Sequence, residues 1–274
     1  MYIYIEMSKK LIDKPLNILN FDELCKEYEI ETKNIYKYAP KHPSLCVLSA
    51  GTGRGKTNLL LNCILKTMII DKCMIFFRDS SEAKYLWLRD FFSKLNEEYN
   101  RHANKKRKLE EIFVMTDDLS KIPNLMDIDK KIQNCLIFDD LVSASPEVKN
   151  KIKILYEAGR KRNCSVFFLT QSFFGVPKGI RLNANFVTLW STGSRKEQRE
   201  LADTFATDTS YKVFERILKY ACRKDRHSFL TINDHLSDVK DKFRMNLSEP
   251  IPDHLFVDSS DEETEIVQEI ADDD

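Results

Sequence analysis

The stretch Leu45-Cys46-Val47-Leu48-Ser49-Ala50-Gly51-Thr52-Gly53-Arg54-Gly55-Lys56-Thr57 decides how the rest of the chain is read. An apolar run long enough for a buried strand meets a loop with three glycines, then Lys-Thr and the helix-favouring Asn58-Leu59-Leu60-Leu61-Asn62. Strand, glycine loop and helix start are the setting of a phosphate-binding P-loop. Glycines let the backbone turn sharply and aim successive N–H groups at phosphate oxygens. The helix N-terminus behind them adds unpaired donors and a positive dipole end. Gly51, Thr52, Gly53, Arg54, Gly55, Lys56 and Thr57 are therefore the candidate nucleotide-binding residues. In that role Lys56 reaches the β- and γ-phosphates of ATP, and the Thr57 hydroxyl ligates Mg2+. The pattern G-x-x-x-x-G-K-[ST] puts its first glycine at position 50, which is Ala here. The turn survives that change unless it demands φ > 0 at this position. A chance glycine turn before an ordinary helix is the competing reading.

The 274 residues suit one large α/β domain with appendages. A hydrophobic share of 42% beside 31% charged residues is globular rather than disordered. No apolar run approaches the ~18 residues of a membrane helix, so no membrane partner is expected. The first ten residues lack the order of a signal peptide, because their lysines follow the apolar part. Seven scattered cysteines, without C-x-x-C or His-paired spacing, read as buried reduced thiols of a reducing compartment. The zero net charge hides an asymmetry. Nine of the 43 acidic residues lie in 258–274, which has no Lys or Arg, leaving 34 acidic against 43 basic groups, or +9, elsewhere. A basic body with an acidic tail admits an anionic polymer as partner.

Residues 1–40 read as an N-terminal extension packed on the core. The helix after the P-loop should reach position 68 or 70. Cys73-Met74-Ile75-Phe76-Phe77 has the unbroken apolar character of a strand buried on both faces. Asp79-Ser80-Ser81 caps a helix expected over 82–95, with an apolar stripe of Tyr85, Leu86, Leu88, Phe91 and Phe92. The basic cluster at 101–108 has no aromatic interleaving, and serves either as a solvated connection or as a DNA contact. A third strand covers 112–115, and a weaker helical stretch 119–127.

Asn134-Cys135-Leu136-Ile137-Phe138-Asp139-Asp140 is the second landmark: an apolar strand ending in two carboxylates, the Walker B pattern. Strand C-termini in doubly wound sheets face the ligand crevice. Asp139 would hold Mg2+, directly or through water, and Asp140 would orient or deprotonate the attacking water. Asp139 falls 83 positions after Lys56 (139 − 56), with room for intervening strands. A helix over 146–159, the basic Arg160-Lys161-Arg162 and a buried strand over 164–170 follow, the last ending in Gln171. At the tip of a strand beside Walker B, a polar side chain can sense the γ-phosphate or the lytic water.

The segments 49–57 and 136–140, and Gly159-Arg160 leading into Leu169-Thr170-Gln171-Ser172 and Pro177-Lys178-Gly179-Ile180-Arg181, resemble the DNA-packaging ATPases of large DNA viruses and virophages. These include the poxvirus-type enzymes and belong to the FtsK–HerA superfamily of P-loop motors. The similarity covers about residues 43–235. It implies an ASCE/RecA-like P-loop NTPase, with a central, mainly parallel sheet flanked by helices and an extra strand between Walker A and Walker B. The implied activity is ATP hydrolysis by a homo-oligomeric ring, pentamer or hexamer. Such a ring drives double-stranded DNA, independently of sequence, into a preformed capsid through a capsid or vertex protein. The implied setting is the virion or the host cytoplasm. Carried over, Lys56 and Thr57 bind phosphate and Mg2+, Asp139 and Asp140 are Walker B, and Gln171 is the polar sensor. The resemblance also implies a trans-acting arginine, Arg160 first and Arg162 second; a basic C-terminal helix cap is the alternative for both.

Lys178 and Arg181, on a loop with Gly175, Pro177 and Gly179, could touch phosphate backbone, which carries no base information. Phe173 and Phe174 read as packing groups. A strand over 186–190, helices over 195–205 and 211–222 and a strand over 228–232 close an ATPase domain spanning 41–245. Residues 246–274 read as a linker and a disordered acidic tail. The five histidines form no ligand spacing. Two readings compete with a packaging motor: another FtsK–HerA motor, helicase-like or for plasmid transfer, and a capsid-associated nucleotide-binding scaffold with little turnover.

Overall fold

The computed structural model describes residues 36–78, 83–103, 105–190 and 194–257. The expected Asp79-Ser80-Ser81 cap, residues 1–35 of the N-terminal extension and the acidic tail at 258–274 lie outside them. Contacts divide the chain into two units, 1–187 and 188–274.

The first unit is built on strands β1 (Leu45–Ser49), β2 (Lys72–Phe76), β3 (Phe113–Thr116), β4 (Asn134–Asp139) and β5 (Cys164–Thr170). They lie in the order β3-β2-β4-β5-β1 and are all parallel. β1 and β5 are buried along their whole length, as parallel strands covered on both faces must be. The extra strand expected between Walker A and Walker B is β5, which separates β1 from β4. Helix α1 (Lys56–Asn62) follows the P-loop. It continues through a π-helical turn over Cys63–Thr67 before the backbone becomes extended at Met68, so helical structure stops just short of the expected end at position 68 or 70.

Helix α2 (Ala83–His102) runs seven residues past the expected end at position 95. Glu98 explains part of this, holding Arg101 at 2.6 Å and His102 at 3.1 Å on the last turn. The stripe also differs. Tyr85, Trp87, Leu88 and Phe92 are buried, whereas Leu86 is exposed. Within the basic cluster, Arg107 stacks on Tyr99 at 3.9 Å and donates from Nε to Asn96 Oδ1 at 2.9 Å. Its guanidinium is thus spent inside the fold. The weak helical stretch after β3 resolves into two 3-10 turns, Leu119–Lys121 and Leu125–Asp127.

Helix α3 (Pro146–Ala158) starts with Ser145 as N-cap, its hydroxyl accepting from Val148 N, and with Pro at the first turn. Its inner face is Ile152, Leu155 and Tyr156. The Tyr156 hydroxyl donates to Cys46 O at 2.5 Å, tying α3 to the P-loop strand. Burial pushes the thiols of Cys63 and Cys164 up to about 12, so both are inert packing groups. The segment after β5 is no open loop. It forms a 3-10 turn at Phe173–Gly175 and a short helix α4 (Lys178–Arg181). A Cβ at Gly175 would meet Val142 Cγ1 at 2.8 Å, so close packing is one reason for glycine there. Strand β6 (Phe186–Leu189) crosses the boundary between the units.

The second unit carries α5 (Arg195–Phe205) and α6 (Tyr211–Ala221), each N-capped by a serine, Ser194 and Ser210. Val213, Phe214, Ile217 and Leu218 form the buried face of α6. Strand β7 (Leu230–Asn233) pairs antiparallel with β8 (Phe243–Met245) after a short helix α7 (Val239–Lys242). Beyond position 245, where the sequence reading begins a linker, β9 (Glu249–Pro250) pairs with β8. Leu247 and Ile251 are buried on either side of it, and Asn246 ties the turn down, its N donating to Phe229 O at 2.7 Å and its Nδ2 to Glu249 Oε1 at 2.7 Å.

Candidate active site

Parallel strands deliver their C-termini to one edge of the sheet, and the motif residues gather there. Ser49 is in register with Thr170, and Leu169 with Asp139. Past the ladder, Ala50 N donates to Thr170 O and Asp140 N to Leu169 O, both at 3.0 Å. The end of β5, and with it Gln171, therefore lies between the P-loop and the carboxylate pair.

The loop itself is exposed from Gly51 to Arg54 and partly covered from Gly55 to Thr57. Its left-handed residues are Gly53, at φ 70°, and Gly55, at φ 105°. Gly55 is also the N-cap of α1, and its carbonyl accepts from Leu59 N at 2.9 Å. A side chain there would be strained. Ala50 keeps an ordinary φ and is buried, which is why the missing first glycine does no harm. Lys56 Nζ donates to Ala50 O at 2.5 Å and lies 3.5 Å from Gly51 O. The ammonium is thus folded into the curl of the loop, where phosphate oxygens would meet it.

Asp139 ends β4. Asp140 follows at φ 53° and ψ 38°, left-handed for a non-glycine residue. Such positions collect at functional sites, and Asp tolerates them better than most residues. From there its Oδ2 stands 3.4 Å from Gln171 Nε2, so the carboxylate pair after β4 and the polar tip of β5 touch. Asp139 Oδ2 accepts a 2.7 Å hydrogen bond from the hydroxyl of Tyr85, a residue that sequence reasoning placed only in an apolar stripe. The signal was hidden because Tyr85 lies 54 positions away and its ring is buried like the others.

Thr57 and Asp139 supply hard oxygen donors, the kind that suits Mg2+. Among the described residues no group of three His, Cys, Asp or Glu could hold a metal. A donor set of one carboxylate and one hydroxyl fits an ion shared with nucleotide phosphates and water, as Mg2+ usually is.

Arg160 and Arg162 lie elsewhere. They belong to the 3-10 turn Gly159–Arg162, which precedes β5 at the opposite edge of the sheet. Seven residues of β5 at about 3.3 Å each put them about 20 Å from Gln171. Across that distance neither side chain reaches this edge of the same chain. They also differ from each other. Arg162 donates from Nε and Nη2 to Ile128 O, at 3.1 and 2.7 Å, and from Nη2 to Met126 O at 3.0 Å. Arg160 is exposed. Lys178 is exposed too, while the Arg181 guanidinium sits over the Phe174 ring at 4.6 Å and the Phe173 ring at 5.7 Å. No described helix is long and apolar enough to cross a membrane.

A parallel sheet with a strand inserted between the phosphate-loop strand and the carboxylate strand, carrying a polar residue at its tip, is a P-loop NTPase fold. No protein-family model matches the chain, and no curated protein sequence does. Among solved structures it is similar to the genome packaging NTPase B204 from Sulfolobus turreted icosahedral virus 2 in complex with ATP-gammaS. That match has 14% identity and a TM-score of 0.45, over 74% of this chain and 95% of that one. B204, the DNA-packaging ATPase from Sulfolobus Turreted Icosahedral Virus, matches at 13% identity and a TM-score of 0.47, over 77% and 99%. The cytoplasmic domain of the Thermomonospora curvata Type VII secretion ATPase EccC matches at 12% identity and a TM-score of 0.41, over 76% of this chain and 25% of that one.

Proposed function

We propose that this chain is an ATP-hydrolysing motor that moves double-stranded DNA into a preformed viral capsid. The observation that carries the hydrolytic part is the 3.4 Å approach of Gln171 Nε2 to Asp140 Oδ2, made between a P-loop and a second carboxylate. Lys56 and the N–H groups of the loop bind the phosphates. Thr57 and Asp139 are the residues that would hold Mg2+, which when bound neutralises charge on the β- and γ-phosphates. Asp140 orients the attacking water and takes its proton. Gln171 reads the position of that water, and its strand leads directly into 173–181 with Lys178 and Arg181, so a change at the phosphate edge has a short path to a basic segment.

The resemblance of the 168–181 block to packaging motors and the +9 balance of residues 1–257 support DNA as the cargo. Sequence-independent tracking needs only phosphate contacts. The same resemblance supports a homo-oligomeric ring, pentameric or hexameric, a capsid or vertex partner, and a place in the virion or the host cytoplasm during assembly. Arg160 is the arginine we assign to the neighbouring subunit's phosphates, since Arg162 is engaged with Met126 and Ile128 carbonyls.

The test is steady-state ATP hydrolysis by the wild type and Lys56→Ala, with and without long double-stranded DNA, at low and moderate salt. Turnover that needs Lys56, rises with DNA and loses that rise as salt increases supports the proposal. Turnover that needs Lys56 and ignores DNA under all conditions removes DNA as the cargo. ATP binding without turnover would replace the motor with a nucleotide-binding scaffold.

A further inference from the structure

β2 and β4 are parallel neighbours with Phe76 opposite Phe138, so the chain leaves them side by side at Phe77 and Asp139. Helix α2 places Tyr85, fully buried, against Phe77, with ring centroids 6.0 Å apart and planes 17° from parallel. The ring is thereby held from its face, and its hydroxyl donates to Asp139 Oδ2 at 2.7 Å. We propose that Tyr85 is a positioning residue for the metal site: its hydroxyl fixes the Asp139 carboxylate in the orientation that receives Mg2+. This rests on the reading of Asp139 as the Mg2+-binding carboxylate.

A phenol has one proton to give, and a carboxylate has about four lone-pair sites. The bond from Tyr85 takes one of these sites on Oδ2, so accepting it does not exhaust the carboxylate as a ligand. The bond is of the short, charge-assisted kind that fixes geometry as well as adding energy. A partner standing one bond behind a metal ligand sets that ligand's rotamer, and removing it typically costs about 10–100-fold in metal affinity or activity. Tyr85 also makes α2 part of the site, since any shift of this helix moves the hydroxyl on which Asp139 rests.

The experiment is a Mn2+ titration of the full chain bound to ADP, followed by electron paramagnetic resonance, for wild type, Tyr85→Phe and Asp139→Asn. Metal-free ADP affinity and melting temperature are measured alongside. Tyr85→Phe should weaken Mn2+ about tenfold while metal-free ADP binding stays near wild type and melting falls only by what one lost hydrogen bond costs. Unchanged Mn2+ affinity in Tyr85→Phe, with Asp139→Asn weakened, overturns the role of Tyr85 alone. A loss shared by metal-free ADP makes Tyr85 a packing residue and overturns it as well. Unchanged Mn2+ affinity in Asp139→Asn overturns the metal-site reading beneath it.

Discussion

Substitution of Asp140 separates the chemistry of the carboxylate from the backbone that carries it. The residue sits at φ 53° and ψ 38°, where most L-residues lose roughly 1–2 kcal/mol and Asn or Asp lose less. Asp140→Asn keeps the size and the backbone preference, and removes charge and basicity. A positioned general base contributes about 10²–10⁴-fold, so turnover should fall at least about 10²-fold, or about 3 kcal/mol of barrier. ATP binding should be retained, because Lys56 and the loop carry it. Asp140→Ala should lose the same turnover and, in addition, roughly 1 kcal/mol of stability, which lowers the melting temperature by about 2–4 °C for a chain of this size. Single-turnover hydrolysis, nucleotide titration and thermal melts measure the three quantities. Turnover of Asp140→Asn within about tenfold of wild type would refute the base assignment. Equal destabilisation of the Asn and Ala variants would refute the backbone argument.

Three further outcomes follow from particular contacts. Arg162→Ala removes the donors to Met126 and Ile128 carbonyls and should cost about 1–3 kcal/mol while hydrolysis per folded molecule persists; hydrolysis lost at an unchanged melting temperature would instead make Arg162 the trans-acting group. On the proposed assignment of Arg160 to a neighbouring subunit, mixing Arg160→Ala with Lys56→Ala subunits should restore part of the activity, since an interface with one intact copy of each would then work; no recovery at any ratio counts against Arg160. His42 bonds Ser165 Oγ through Nδ1 at 2.8 Å and Asn163 Oδ1 through Nε2 at 3.0 Å. Burial, opposed by those bonds to Asn163 and by the charge of Asp71, holds its pKa below the ordinary 6.5. The unfolded chain then takes up the proton first, so stability should fall as pH drops below about 6.5. Urea melts from pH 8 to pH 5.5 should show a steeper loss for wild type than for His42→Gln, and parallel curves would refute the coupling.

Local signals were the legible ones. The P-loop and the Walker B strand each occupy a single stretch, so residue type and order suffice to place Lys56, Thr57, Asp139 and Asp140. Gln171 was legible because parallel strands share a C-terminal edge, and the register of Leu169 with Asp139 puts it there. Contacts between distant segments were not legible. Tyr85 reads as one more apolar residue of α2, and only the pairing of β2 with β4 brings it to Asp139. Arg162 reads as a second candidate for a trans-acting arginine, or as a basic helix cap, and the turn at Leu125–Asp127 supplies carbonyl partners that the sequence does not show. The left-handed turn at Asp140 has no sequence signature, since a residue that tolerates φ > 0 does not announce that it uses it. After Met245, prolines and charges read as a linker, although Leu247 and Ile251 are buried and β9 pairs with β8.

Displacement of a triplex-forming oligonucleotide from a long duplex measures directly whether hydrolysis moves the protein along DNA, as proposed. ATP and wild-type protein should displace the third strand at a rate that grows with protein until the duplex is saturated. Lys56→Ala, Asp140→Asn or a non-hydrolysable analogue should leave it in place. DNA-stimulated hydrolysis that never displaces the third strand would rule out translocation.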